Sequence, residues 1–382
     1  MFYVVLYLAK LTNFLIRIFK KGAGFTWPGH LALKLYPSLF QNTRIHFPRG
    51  IIYVSGTNGK TTTTKLITHI CENNSVKVLH NKSGANLLNG IASTILLDRN
   101  IFGKALADLA VFEVDEFTLP HLIKKIPPTV LILLNLSRDQ LDRYGEIDVI
   151  LERWERILAE LDPRTVLILD ATQKKFDVLS KAFKGKIFYF NDNLDNVRHT
   201  KLLGDFNAKN VNAAVTAAGV LGIGPEKAAE SLEGFDAAYG RGEIIEYSEK
   251  MYHLFLAKNP TSFNNNMDLL TSGETFPDTI LFILNDDPRD GRDVSWIYDI
   301  SREKLFEACR NKEIFVSGSR CLDMAVRLEY AGIPVKKDNI SLSLAKLVKK
   351  ISGTPHVKSV AALPNYSAML ELREVLLGRQ IL

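Results

Sequence analysis

The chain has 382 residues, 46% hydrophobic and 24% charged, an ordinary globular composition with enough length for two domains. Its 48 Lys+Arg against 42 Asp+Glu leave a net charge of +6, which suits an anionic substrate or membrane surface, while no basic run interleaved with aromatics marks a nucleic-acid binder. Cys71, Cys309 and Cys321 stand far apart without C-x-x-C spacing, which excludes a disulfide framework and a four-cysteine zinc site and points to a reducing cytosol.

Along the chain, the opening "MFYVVLYLAKLTNFLIRIFKK" predicts a helix, apolar on most of its circumference, with Lys10, Arg17, Lys20 and Lys21 toward its end. The interruptions at Lys10, Asn13 and Arg17 leave no span of bilayer length, and a secretory signal's leading charge and cleavage site are missing. Two readings stay open: a helix docked on its own domain or a partner, and an interfacial helix on anionic lipid, giving peripheral membrane contact through residues 1–21. Ile51 to Val54 predicts a buried strand and Lys60 to Cys71 a helix; apolar runs at 76–80, 106–116, 128–136 and 165–170 predict further strands. Helices are expected at 147–161 and 208–221. Strand-length apolar runs separated by crossover-length segments argue for an α/β fold with a parallel sheet covered on both faces. Around "GFDAAYGRGEII", residues 234–245, the pattern changes and suggests a hinge. Beyond it, strands at 279–284, 313–318 and 358–364 alternate with helices near 301–311, 320–331 and 366–377, a second and smaller α/β domain. The expected division is a lead-in at 1–45, a central domain at 46–233 and a C-terminal domain at 234–382.

The stretch "IIYVSGTNGKTTTT", residues 51–64, delivers a strand into Gly56, Thr57, Asn58 and Gly59, then into a helix that begins with Lys60, Thr61 and Thr62. Two glycines allow a tight turn, and the helix start offers amides to phosphate oxygens. Lys60 would reach the β and γ oxygens and Thr61 would place its hydroxyl on Mg²⁺. The strict G-x-x-x-x-G-K-[ST] form fails at its first position, Val54, and an ordinary strand-to-helix turn is the competing explanation. "AVFEVDE" adds Glu113, Asp115 and Glu116; period-2 alternation sets Glu113 and Asp115 on one face and Glu116 on the other, and Glu113 is the choice for the metal. A guanine-specific N-K-x-D is missing, which favours ATP.

"GTNGKTT" with its acidic strand end, "NLSRDQLDRYGE" at 135–146, "GDFNAKNVNAA" at 204–214 and "GRGE" at 240–243 together resemble the Mur ligase superfamily. "PGHLALKLYP", "KSGANLLNGIASTIL", "RDQLDRYGE", "AKNP", "DGRDVSWIYD" and "YSAMLELREVL" extend the resemblance over nearly the whole chain, to the MurT branch, the ligase-like subunits of lipid II isoglutaminyl synthases. The resemblance implies a Mur ligase-like central P-loop domain followed by a MurT-type C-terminal domain. It also implies a cytoplasmic enzyme of peptidoglycan biosynthesis that reaches the inner face of the membrane. The implied reaction uses ATP and Mg²⁺ to phosphorylate the α-carboxyl of D-glutamate in the lipid II stem peptide, after which ammonia displaces phosphate to give D-isoglutamine. By motif, Thr61 and Glu113 hold the metal, Asn207 and Asn210 lie at the nucleotide, Asn135 and Asp139 line the reaction centre, and Arg241 sits at the domain junction near the phosphates. Ammonia would come from a GatD-like glutaminase partner, since the cysteines here occupy helix positions without a matching histidine motif. Asp293 and Asp299 are the two candidates to complete the partner's Cys and His set; acidic residues beside a glycine turn are otherwise simply loop formers.

The chain departs from the MurT pattern twice. The common four-cysteine zinc ribbon is replaced by "NDNLDNVRHTKLL", so no zinc is expected. Lys258 in "AKNP" stands where amino-acid-adding Mur ligases usually carry histidine after a ribose-holding aspartate. Two further readings stay open: an amino-acid-adding Mur or folylpolyglutamate-type ligase, which would use an amine in place of ammonia, and a non-enzymatic ATP-switched scaffold for cell-wall enzymes.

Overall fold

The computed structural model describes residues 1–19, 26–81, 85–137, 147–193, 195, 200, 202, 205–233, 235, 241–272, 277–288 and 290–378. Six strands form the first sheet: β1 (Ile51–Ser55), β2 (Val78–His80), β3 (Leu109–Glu113), β4 (Val130–Leu133), β5 (Val166–Asp170) and β6 (Lys186–Phe190). Their order is β2-β3-β1-β4-β5-β6 and every pairing is parallel. The inner strands β1, β3, β4 and β5 read as continuous apolar runs because both faces are covered. Ile51 and Tyr53 of β1 pack into one core, and Ile52 and Val54 into the other.

The first core lies under helices Phe2–Ile18, Leu88–Asp98 and Ile147–Glu160, and the second under helices Lys60–Asn73 and Asp205–Val220. Helix Phe2–Ile18 is docked on its own domain by Phe2, Val5, Leu6 and Ala9, a stripe at helical spacing. Among the described residues, no helix is long and apolar enough to cross a membrane. Helix Trp27–Leu35 meets helix Leu88–Asp98 at Gly29, whose N–H donates to Ser93 Oγ at 2.7 Å. A Cβ on Gly29 would fall 2.0 Å from Asn89 O, so only glycine permits this approach.

The second sheet contains β7 (Arg241–Tyr247), β8 (Lys250–Phe255), β9 (Thr279–Ile283), β10 (Glu313–Ser317), β11 (Ile340–Ser341) and β12 (Ser359–Pro364). Its order is β11-β10-β9-β12-β8-β7, parallel throughout except for the β7–β8 hairpin. The segment expected to be a hinge at 234–245 is different in its second half, where Arg241 onward forms an edge strand; 234 and 236–240 lie outside the described residues. Arg373 on helix Tyr366–Leu377 pairs with Glu243 of β7 and fastens this edge strand to the domain.

Candidate functional site

The site is built at the carboxyl ends of β1, β3 and β4, where an open parallel sheet of this order leaves its crevice. Ser55 ends β1 with its hydroxyl on Val114 O at 2.8 Å, after which Gly56 turns at φ +135°. Thr57 N–H donates to Asn135 O at 2.9 Å, and Asn58 N–H to Asn135 Oδ1 at 2.9 Å, while Asn135 Nδ2 returns a bond to Asn58 O at 3.0 Å. Asn135 therefore sets the shape of the loop from the end of β4. Thr57 Oγ1 adds a reciprocal pair with Ser137, donating to its carbonyl and accepting from its amide.

Gly59 opens helix Lys60–Asn73 at φ +90°. A Cβ there would lie 2.2 Å from Asn210 Oδ1, so the helix Asp205–Val220 closes directly on the back of the loop. The first intrahelical bond runs from Thr63 N to Gly59 O, with the Lys60 and Thr61 amides ahead of it at the mouth of the helix. That is a cradle suited to phosphate oxygens. The predicted residues Asn207 and Asn210 are buried and bonded to each other, Asn210 Nδ2 to Asn207 Oδ1 at 3.0 Å. Asn210 Oδ1 also takes Thr63 Oγ1 at 3.4 Å, a contact that explains one of the four threonines.

The acidic partners come from β3 and its exit. Thr61 Oγ1 donates to Glu113 Oε2 at 2.7 Å, so the two residues expected to share a metal already touch. Glu113 is held by Asn81, which accepts from Glu113 N at 2.9 Å and donates to Glu113 O and Ala85 O at 2.9 Å. A hydroxyl and one carboxylate fit Mg²⁺, which usually completes its octahedron with waters and substrate phosphates rather than with a protein cage. No group of three or more His, Cys, Asp or Glu that could hold a metal occurs among the described residues.

Alternation beyond Glu113 does not hold, because β3 ends there. Asp115 instead bends the chain, accepting from Phe117 N at 3.1 Å, Thr118 N at 3.1 Å and Thr118 Oγ1 at 3.2 Å, ahead of helix Leu119–Lys125. The turn delivers Glu116 to Lys60, Oε1 to Nζ at 3.0 Å, with both side chains about a tenth exposed, 8% and 11%. Trp154 Nε1 fixes the turn by donating to Glu116 O at 2.9 Å. Lys60 Nζ also donates to Gly56 O at 2.5 Å, curling over the loop that it serves. Glu116 is a site residue that strand periodicity misassigns.

A second missed residue is Asn259. It is buried, caps helix Pro260–Ser272 by accepting Ser262 N at 2.8 Å, and donates Nδ2 to Asn58 Oδ1 at 3.1 Å. The signal was the Asn-Pro step in "AKNP", an N-cap followed by proline at N1.

The other predicted residues are more scattered. Asp139 lies outside the described residues, as does the side chain of Arg241, whose backbone begins β7. Asp293 and Asp299 are exposed at either end of the 3₁₀ turn Ser295–Asp299; Asp293 accepts Ser295 N at 2.8 Å, which holds its carboxyl below the usual range. Asp290, in the same motif, accepts Tyr366 N at 2.7 Å and Ser367 N at 3.1 Å and so caps helix Tyr366–Leu377. Burial raises the Asp290 carboxyl, and these hydrogen bonds counter the rise. Cys71, Cys309 and Cys321 are free and buried, and burial pushes the first two thiols up to about 11 and about 12.

Comparison with known proteins follows this geometry. Residues 54–198 match the Mur ligase middle domain, and residues 256–369 match the MurT ligase C-terminal domain. The chain is similar to MurT subunits along nearly its whole length. The lipid II isoglutaminyl synthase (glutamine-hydrolyzing) subunit MurT of Staphylococcus aureus strain COL is 26% identical over 98% of this chain and 97% of its own. The MurT subunit of Streptococcus pneumoniae is 28% identical over 94% of each. Among solved structures, MurF from Acinetobacter baumannii superposes with a TM-score of 0.68 at 19% identity, covering 91% of this chain and 79% of that one, a likeness of fold. The family matches thus fall on two separate segments, a general Mur ligase one that carries the glycine loop and a MurT-type one at the C-terminal end.

Proposed function

We infer that the chain is the ATP-dependent ligase subunit of a lipid II isoglutaminyl synthase and amidates the α-carboxyl of D-glutamate in the stem peptide. The observation that carries this reading is the constellation at the end of β1: Lys60, Thr61, Glu113 and Glu116 converge within hydrogen-bonding distance beneath the amides of a phosphate-type loop. In the proposed reaction, a carboxylate oxygen attacks the γ-phosphorus of ATP and the bond to ADP breaks. Ammonia then adds to the acyl phosphate carbon and phosphate leaves. Such transfer depends on positioning and charge neutralisation more than on covalent chemistry by the protein. The loop amides and Lys60 would grip the β and γ phosphates, with Lys60 exchanging Glu116 for phosphate oxygens. Thr61 and Glu113 would hold Mg²⁺, which when bound neutralises charge on the phosphates.

Asn207 and Asn210 support the nucleotide side of the loop, Asn135 holds its shape, and Asp139 and Arg241 retain the roles that the family pattern suggests. The proposed organisation is a lead-in at 1–45, a central ATP-binding domain at 46–233 and a C-terminal domain at 234–382. On this reading glutamine hydrolysis belongs to a separate GatD-like subunit, which would meet exposed Asp293, just ahead of the 3₁₀ turn, or Asp299, at its end; the burial of all three thiols supports it. The proposed setting is the cytoplasmic face of the membrane, where a lipid-linked substrate is met.

The test is a reconstitution of the purified chain with a glutaminase subunit, lipid II, ATP, magnesium and glutamine. Amidated lipid II and ADP should form together, and ammonium should replace glutamine and the glutaminase. Turnover that instead requires a free amino acid would reassign the chain to the amino-acid-adding ligases. Amidation in cells that survives Lys60→Ala would favour a scaffold.

A further inference from the structure

Helix Phe2–Ile18 has two apolar faces. Phe2, Val5, Leu6 and Ala9 bury one of them. Val4, Tyr7, Leu11, Phe14, Leu15 and Ile18 recur along the opposite side, and all six are exposed. A surface helix normally turns charge outward here.

The exposed face does not end with the helix. Tyr7 Oη donates to Ile101 O at 2.9 Å and Tyr3 Oη to Phe102 O at 3.3 Å, binding the turn at 100–104 to the helix. Asn100 Oδ1 shapes that turn by accepting Phe102 N and Lys104 N, both at 2.9 Å. Gly103 nestles at φ +77°, where a Cβ would meet Phe2 at 2.9 Å. The turn is therefore a fixed projection, yet it presents Ile101, Leu106 and, at its tip, a Phe102 that is 76% exposed. A braced turn with an outward phenylalanine has no use in the chain's own core.

The charge distribution indicates what covers this surface. Residues 1–50 contain seven Lys and Arg (Lys10, Arg17, Lys20, Lys21, Lys34, Arg44, Arg49) and no Asp or Glu. The whole chain has 48 basic and 42 acidic residues, so the remainder has 41 against 42, a net charge of −1. All of the protein's positive excess thus lies in its first 50 residues, the segment that contains the exposed apolar helix. A second copy of the same face would bring two such segments together and be repelled, whereas an anionic lipid surface attracts them.

We propose that the outer face of helix Phe2–Ile18 and the turn at 100–104 form a membrane-docking surface that inserts into the interfacial layer of an anionic bilayer. The helix lies along the surface rather than spanning it, with Phe14 and Phe102 as apolar anchors and the net positive charge of residues 1–50 drawing it to anionic headgroups. This inference stands on exposure and charge alone, independently of the reaction.

The test is sedimentation of the full chain with vesicles of phosphatidylglycerol and phosphatidylcholine in equal parts, against vesicles of phosphatidylcholine alone. Affinity should be about tenfold or more higher for the anionic vesicles and should fall at about 0.5 M salt. Phe14→Ser with Phe102→Ser should weaken binding by about tenfold while leaving the melting temperature and nucleotide affinity unchanged. Phe102→Ser alone, at the turn tip, provides the same comparison should the double variant lose stability. Equal pelleting of wild type and variants, or no pelleting, would overturn the proposal. So would a dimer in analytical ultracentrifugation that Phe14→Ser dissociates in a chain that does not bind vesicles, since the face would then belong to a second copy.

Discussion

Asn58 and Asn259 exchange side-chain amide hydrogen bonds between the phosphate loop and the second domain, Asn259 Nδ2 to Asn58 Oδ1 at 3.1 Å and Asn58 Nδ2 to Asn259 Oδ1 at 3.4 Å. One residue thus caps a helix in one half of the protein and touches the nucleotide loop in the other. Asn259→Ala should lower stability by about 1 kcal/mol through the lost cap. It should also raise KM for ATP about fivefold through the lost tie to the loop. Asn259→Ser, which keeps a capping oxygen but is too short for Asn58, should recover stability without recovering KM. Thermal melts and ATP titrations measure the two effects separately.

Lys60 and Glu116 form a nearly buried ion pair, so removing Lys60 takes a close counter-charge from Glu116. Lys60→Met should cost about 3 kcal/mol and reduce ligase activity about 100-fold or more. Lys60→Met combined with Glu116→Gln should regain much of the stability and none of the activity. Urea unfolding alongside ADP release distinguishes these outcomes. Recovery of activity in the double variant would mean that the lysine acts only as a counter-ion.

Gly59→Ala places a methyl group against Asn210 Oδ1 and forces an L-residue to φ +90°. The expected penalty is about 2 kcal/mol or more, with nucleotide affinity falling as the loop is displaced. Asn210→Gly in the same chain should relieve the collision but not the backbone strain, so rescue should be partial. Differential scanning calorimetry with and without ATP reads both effects.

Burial raises the thiols of Cys71 and Cys309 from an ordinary value of 9.0 to about 11 and about 12. The folded state therefore favours the neutral thiol, and the thiolate that reacts with iodoacetamide is scarce at pH 8. Alkylation of the native chain should be slow at pH 8 and complete only in denaturant, with mass spectrometry counting the labels. The unfolded chain ionises its thiols near 9.0, so native stability contributed by these groups is lost as pH rises above that value. Rapid labelling of Cys309 in the folded protein would contradict its burial.

Much of the site was legible because local chemistry and fold agree there. The order of strand, glycine turn and Lys-Thr helix start could be read from "VSGTNGKTT", and Glu113 lies at the end of a strand whose apolar run is unbroken. Glu116 was misplaced because β3 stops at Glu113; a cap formed by Asp115 then replaces alternation. The β7–β8 hairpin escaped notice for a different reason. Its turn places Ser248 at φ +48° and Glu249 at φ +60°, positions where hairpins normally advertise themselves with Asn or Gly. Asn259 was overlooked because its role depends on Asn58, far away in sequence, and no local pattern encodes such a pair.

The backbone contact at Gly29 has a mechanical consequence. Helices Trp27–Leu35 and Leu88–Asp98 are pressed too closely to slip past each other, and they act as one stiff beam. Helix Phe2–Ile18 packs into the same core, and Asn86, just ahead of helix Leu88–Asp98, accepts Asp115 N at 3.1 Å, two residues beyond Glu113. The docked N-terminal helix and the acidic turn beyond β3 are thus tied to the same pair of helices.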